Sequence, residues 1–143
     1  MFIGEYHHTI DSKKRLAVPV KFRPELGKKV VITRGLDQSL FLYPQKDWKE
    51  LAAKLSRLPF SKSDARGFSR LMLAGAMEVE LDKAGRILIP DYLKGYAHLE
   101  KSVAVIGIYN RVEIWGEEGW NKYKGQMEKE VGDMAERLGE LGV

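Results

Sequence analysis

Nine residues, Asp11-Ser12-Lys13-Lys14-Arg15-Leu16-Ala17-Val18-Pro19, return as Asp82-Lys83-Ala84-Gly85-Arg86-Ile87-Leu88-Ile89-Pro90, with Asp, Arg and Pro repeated 71 positions apart. Each copy follows an alternating run (residues 6–10 and 77–81) and leads into an apolar run stopped by proline. Alternation marks a strand with one buried face, and a polar Asp/Lys/Gly cluster between two such runs reads as a β-turn. The stretch therefore predicts a β-hairpin tip that lifts basic side chains off the body. The repetition continues downstream: residues 30–33 and 40–43 are matched by 103–106 and 112–115, and Trp48 by Trp120. A period near 71 exceeds the roughly 20–50 residues of a solenoid unit. Two small duplicated domains in one chain is the reading that remains.

Each half, about 70 residues, buries too little surface to be comfortably stable alone. The halves are expected to share a core and to lean on neighbouring chains. The chain has no cysteine, which excludes disulfides and thiolate metal sites. Without a signal peptide or an apolar run of about 18 residues, a soluble cytoplasmic protein is expected. The net charge of +4 hides an asymmetry: residues 1–71 hold 15 Lys and Arg against 7 Asp and Glu, residues 72–143 hold 9 against 13. A basic half suits a polyanion, because phosphate neutralisation supplies most non-specific nucleic-acid affinity; a solvated basic surface with no partner is the alternative.

Along the chain, a first strand spans residues 2–10, with Phe2, Gly4, Tyr6, His8 and Ile10 on one side and Ile3, Glu5, His7 and Thr9 on the other. Residues 16–18 complete the hairpin, 22–27 allow a helical turn ended by glycine, and 34–39 form the loop of a second hairpin. A helix over 46–58 carries Trp48, Leu51, Ala52, Leu55 and Leu58 as one stripe. Asp47 and Glu50 resemble a capping box, while Pro44 or Gln45 offers an earlier start. A second helix over 63–75 places Phe68, Leu71 and Met72 inward, with Arg66 and Arg70 as a second basic face. The second half replays the first: strands 76–81 and 87–89, a turn at 91–95, and a hairpin about Asn110-Arg111. The last segment, 117–141, has Trp120, Tyr123, Met127, Val131, Met134, Leu138 and Leu141 at alternating three- and four-residue steps, the spacing of a seam against another helix. Gly125, Gly132 and Gly139 each weaken that helix by about 1 kcal/mol relative to alanine.

Arg15 and Arg86 are the leading candidates for function. A planar guanidinium makes paired hydrogen bonds to guanine in the major groove, or grips a phosphate in a fork. Lys13, Lys14 and Lys83 stand beside them as phosphate contacts. The intramolecular alternative pairs Asp11 with Arg15 and Asp82 with Arg86 across the turn, where aspartate is favoured anyway. Lys14 occupies the place of Gly85: either the first tip is strained by a positive φ on lysine, or it has another turn type. His7 and His8 point to opposite faces of a strand, so a shared metal ion is not expected. No phosphate loop, metal motif or nucleophile elbow is present, and no catalytic residue is assigned.

The D-x-x-x-R…P tip, present twice in 143 residues with a helix after each half, resembles the MraZ family. That is the bacterial transcriptional regulator family related to the AbrB/MazE swapped-hairpin DNA-binding domains. Lys14 departs from the D-x-x-G-R tip common in those relatives. The resemblance implies an α+β fold of two tandem swapped-hairpin (AbrB-like) β-rich halves, forming a pseudo-dimeric core with packed helices and a C-terminal helix. The expected organisation is a first repeat with its helix (1–58), a connecting helix (59–75) and a second repeat with the C-terminal helix (76–143). It further implies a non-enzymatic, nucleoid-associated regulator, chiefly a repressor of the division and cell-wall gene cluster. Such a protein binds repeated promoter boxes in double-stranded DNA as a ring-shaped homo-oligomer, with no cofactor, small-molecule substrate or membrane. On this reading Arg15 and Arg86 read bases, Lys13, Lys14 and Lys83 hold phosphates, and Asp11 and Asp82 orient the motif. Two alternatives are an antitoxin-like or scaffold protein that binds another protein through its helices, and an RNA-binding module, the latter without a base-stacking aromatic pattern.

Overall fold

Alternation in the first strand translates directly into burial: Phe2, Tyr6, His8 and Ile10 turn inward while Ile3, Glu5, His7 and Thr9 are exposed. The computed structural model describes residues 1–143. Its elements are β1 (Phe2–Thr9), β2 (Arg15–Ala17), a 3₁₀ turn (Val20–Phe22) running into α1 (Arg23–Leu26), β3 (Lys29–Arg34), β4 (Leu40–Pro44), α2 (Gln45–Ser56) and α3 (Ser63–Ala74). The second half supplies β5 (Met77–Glu80), β6 (Arg86–Leu88), α4 (Asp91–Tyr96), β7 (Ser102–Tyr109), β8 (Arg111–Gly116) and α5 (Glu117–Leu138), closed by a 3₁₀ turn (Gly139–Leu141).

Six strands form one sheet in the order β1-β7-β8-β4-β3-β5, and β2 pairs with β6 in a separate ribbon. Every pairing is antiparallel. The first strand of each half is paired with the third strand of the other: β1 lies against β7 from Phe2↔Tyr109 to Thr9↔Ser102, and β5 against β3 from Lys29↔Glu80 to Ile32↔Met77. The second strands also pair across the halves, as Arg15↔Leu88, Leu16↔Ile87 and Ala17↔Arg86. At the centre β4 meets β8, with Phe41 opposite Glu113. This is the swapped-hairpin fold, with a pseudo-two-fold axis through the β4–β8 and β2–β6 pairs. Each of the two Asp-tipped hairpins survives only as its tip: β1 and β2 touch through one bridge, Ile10↔Leu16, and then part into different layers. Gly107 permits the close approach at the β1–β7 pair, because a Cβ there would lie 2.4 Å from the Ile3 amide nitrogen.

The main core is a single cluster of 19 buried side chains between the sheet and the β2–β6 ribbon, with α1 and α4 at its sides. Leu16, Val18 and Phe22 of one half meet Ile87, Ile89 and Leu93 of the other, all 3 % exposed or less. Neither half owns this core.

The opposite face of the sheet is covered by helices. Leu55, Trp48 and Leu51 of α2 and Met72 of α3 pack on Phe41 and Tyr43. Trp120 and Tyr123 of α5 pack on Ala104, Ile106 and Trp115. Between these patches the buried Glu113 carboxylate accepts from Arg111 Nε (2.9 Å), Arg111 Nη2 (2.8 Å) and Trp115 Nε1 (3.1 Å). Two sequence expectations are corrected. α2 begins at Gln45 behind Pro44, without a side-chain cap, so the Asp47/Glu50 box does not form. On α3 only Met72 is buried; Phe68 and Leu71 are 40 % and 50 % exposed, because the helix meets the sheet along a narrower strip than its periodicity suggests. The apolar stripe of α5 meets the sheet through Trp120 and Tyr123; Met127 and Met134 are half-buried, and Val131 and Leu138 are 60 % and 44 % exposed, since the sheet ends beneath the helix's first turns. No helix is long and apolar enough to cross a membrane.

A shared core predicts one cooperative transition. Ile87→Ala should cost about 2–5 kcal/mol. In urea, single-tryptophan variants retaining Trp48 or Trp120 should report that loss with the same midpoint. Separate midpoints for the two halves would contradict the shared core.

Candidate nucleic-acid interface

Each tip is built by an aspartate. Asp11 Oδ1 accepts the backbone N–H groups of Lys13 and Arg15, both at 2.9 Å, and its Oδ2 accepts Arg15 Nε–H at 3.0 Å. The Asp11 carbonyl accepts the Lys14 N–H at 3.0 Å, closing the turn. The second tip repeats this bond for bond: Asp82 Oδ1 accepts from Ala84 and Arg86, Oδ2 from Arg86 Nε, each at 2.9 Å. An aspartate side chain bonding the backbone two residues on is ordinary turn chemistry. The arginine backbone N–H, more than its guanidinium, holds both carboxyls below the usual carboxylate range. Each carboxylate takes the Nε edge of its arginine and leaves the two Nη groups without an Asp11 or Asp82 bond shorter than the 4.0 Å Arg86–Asp11 approach.

Lys14 has φ 65° and Gly85 has φ 74°, so the two turns share one backbone and the lysine bears the left-handed strain. That costs about 1–2 kcal/mol relative to glycine. Lys14 Nζ donates to Asp91 Oδ2 at 2.7 Å, an exposed ion pair of the kind that adds little stability. Gly85 serves a further purpose: a Cβ there would fall 2.3 Å from the Arg23 guanidinium, which lies over the turn and donates through Nε to the Val18 carbonyl at 2.9 Å.

The β2–β6 pairing brings the tips together. Leu16 and Ile87 enter the core, so alternation turns Arg15, Ala17, Arg86 and Leu88 to the other face of the ribbon. Arg15 and Arg86 are 29 % and 33 % exposed, and Asp11 Oδ2 lies 4.0 Å from Arg86 Nη1 as well as 3.0 Å from Arg15 Nε. The expected pair of separate projecting fingers is thus one composite surface. Lys13 and Lys83 are exposed at its two ends, and Lys14 is spent partly on Asp91. Arg23 and Lys28 were not singled out by the sequence as site residues. They line a hollow of about 340 Å³ beside the second tip, together with Lys83 and Gly85. The adjacent pair Lys28-Lys29 was the available signal; nothing local marks Arg23, which reaches Gly85 only through the swap.

The remaining candidates lie elsewhere. His8 Nδ1 is 2.6 Å from the Ala17 carbonyl and donates to it, bracing β1 against β2. His7, on the other side of the strand, faces Glu5 at 2.8 Å and Glu117 at 3.1 Å. Arg66 and Arg70 sit on α3, on the helical face of the sheet and away from the tips; Arg66 Nη1 donates to the Phe60 carbonyl.

Comparison with known proteins matches the family profile described as "MraZ protein, putative antitoxin-like" twice, over residues 1–71 and 72–139. A protein of Natranaerobius thermophilus named Transcriptional regulator MraZ is 52% identical over 138 residues, covering 96% of each chain. The protein of the same name from Thermoanaerobacter sp. (strain X514) is 50% identical over 143 residues, covering all of both chains. That of Carboxydothermus hydrogenoformans is 49% identical over 138 residues, 96% of each.

The shared tip backbone yields a comparison of two variants. Lys14→Gly and Lys14→Ala both lose the Asp91 pair, but only glycine relieves the positive φ. The glycine variant should be the more stable of the two by about 1 kcal/mol in thermal or urea denaturation; equal stabilities would mean that the first turn carries no strain.

Proposed function

The chain belongs to the MraZ family, and on that premise we propose that it is a DNA-binding regulator of transcription that reads double-stranded DNA with the outer face of its β2–β6 ribbon. The observation that carries the proposal is the pair of Asp-braced arginines side by side on an exposed face. Fixing Nε against a carboxylate presets the guanidinium plane, so less entropy is lost when the Nη edge meets guanine O6 and N7. Arg15 and Arg86 are the base-reading residues of this proposal. Lys13, Lys14 and Lys83, joined by Arg23 and Lys28, position phosphates, and Asp11 and Asp82 orient the motif. The regulator works in the cytoplasm on the nucleoid, chiefly as a repressor of the division and cell-wall gene cluster.

One ribbon spans too little DNA for high affinity on its own, and the proposed mechanism is multivalent. Several copies close into a ring and engage repeated promoter boxes, each protomer raising the local concentration of the next. The uncovered apolar side chains Val131, Leu138 and Leu141 on and after α5, and Phe68 and Leu71 on α3, support self-association. Exposed apolar surface of this kind marks interaction sites. It equally suits an antitoxin-like role, in which the helices capture a different protein; co-purification of a stoichiometric partner together with loss of DNA retention would favour that reading.

Footprinting on the DNA upstream of the protein's own gene should reveal a protected array. On that array Arg15→Ala should lose about 1–3 kcal/mol of specific binding, whereas Lys13→Ala should weaken all sequences alike and lower the salt slope by about one. An Arg15→Ala protein with wild-type affinity and salt dependence would remove the residue from its role. For assembly, the wild-type chain should be oligomeric in native mass spectrometry, and Leu138→Asp should shift it toward smaller species. A monomeric wild type would defeat the ring.

A further inference from the structure

Building on the proposed reading of DNA by the β2–β6 ribbon, we infer that Leu88 is a specificity-determining residue that packs on the C5-methyl group of a thymine, so that one protomer recognises an asymmetric sequence. The two halves are related by a pseudo-two-fold axis, but the outward face of the ribbon is not symmetric. Beside each arginine, two residues on along the same strand face, stands Ala17 in the first half and Leu88 in the second. Leu88 is 50 % exposed although both its neighbours, Ile87 and Ile89, are fully buried. Its Cα partner across the ribbon is Arg15, and directly opposed Cβ atoms in an antiparallel pair lie about 4.5–5.5 Å apart. Its isobutyl group therefore flanks Arg15 across the ribbon and Arg86 along the strand.

A lone exposed leucine is common on protein surfaces, but this one sits at the centre of a cationic face. The major groove offers a matching pattern: guanine presents O6 and N7 acceptors, and a neighbouring thymine presents an apolar methyl. A guanidinium beside a branched aliphatic side chain reads that combination, and Ala17 is too short to reach as far from the other half. The ribbon therefore binds in one orientation, with the Leu88 side on the thymine.

The test uses the full-length protein and a duplex selected by it from a randomised DNA pool. Each thymine is replaced in turn by deoxyuracil, which lacks only the methyl, and dissociation constants are measured for wild type and Leu88→Ala. At one position per protomer footprint the replacement should weaken the wild type about three- to fivefold. Leu88→Ala should bind the thymine duplex with the same loss and be indifferent to that replacement. Ala17→Leu should gain a second methyl-sensitive position on the opposite side of the footprint. If the wild type ignores every replacement, or Leu88→Ala responds as the wild type does, the inference is overturned. A wild type that enriches no sequence from the pool would overturn the DNA-reading proposal itself, a result distinct from either.

Discussion

The placement of Leu16 opposite Ile87 governs the molecule. Both side chains are almost completely buried, and side chains on a strand alternate faces. A slip of one residue by either strand of this three-pair ribbon would turn its arginine into the core and expose its leucine or isoleucine. The same apolar contact that holds the halves together therefore aims the arginines outward. Stability and the outward display of both arginines here depend on one register, fixed at its ends by hydrogen bonds from Val18 to the Gly85 carbonyl and from Ile89 to the Lys14 carbonyl.

Much of this was legible in the sequence because the repeat is close. The tip turn, the alternation of the first strand and the buried apolar run after each arginine follow from local chemistry, and the aspartates bond as turn residues do. The exchange of strands was not legible from periodicity: Phe2 to Ile10 alternates in the same way whether it pairs with its own hairpin or with residues 102–109, and only the family resemblance indicated the swap. The adjacency of the two arginines, and the role of Gly85 as a seat for Arg23, depend on that exchange and so on distant parts of the chain. The inward face of α3 is narrower than its periodicity suggests for a different reason: an apolar stripe marks a direction on a helix, not the width of the strip that meets the sheet, and Phe68 and Leu71 stand outside that strip.

The two helical faces are also unequal. The first half folds two helices over β3 and β4, while the second lays one long helix over β7 and β8 and continues beyond the sheet. Lys124 and His7 tie the early turns of α5 to β1 through Glu5 and Glu117, so the helix leaves the body at a fixed angle. Exposed ion pairs of this kind add little stability. Their contribution is direction: the apolar far end of α5 projects from a defined point on the side of the sheet opposite the arginines.

Pairing of β4 with β8 at the middle of the sheet joins two halves that are already one polypeptide. An ordinary two-fold dimer comes apart on dilution and forces both partners to carry the same sequence. Here the paired halves are covalently linked, their stoichiometry is fixed at synthesis, and each half is free to mutate without its twin. A lysine in one turn and a glycine in the other, or an alanine facing one way and a leucine the other, are differences that a symmetric dimer could never keep.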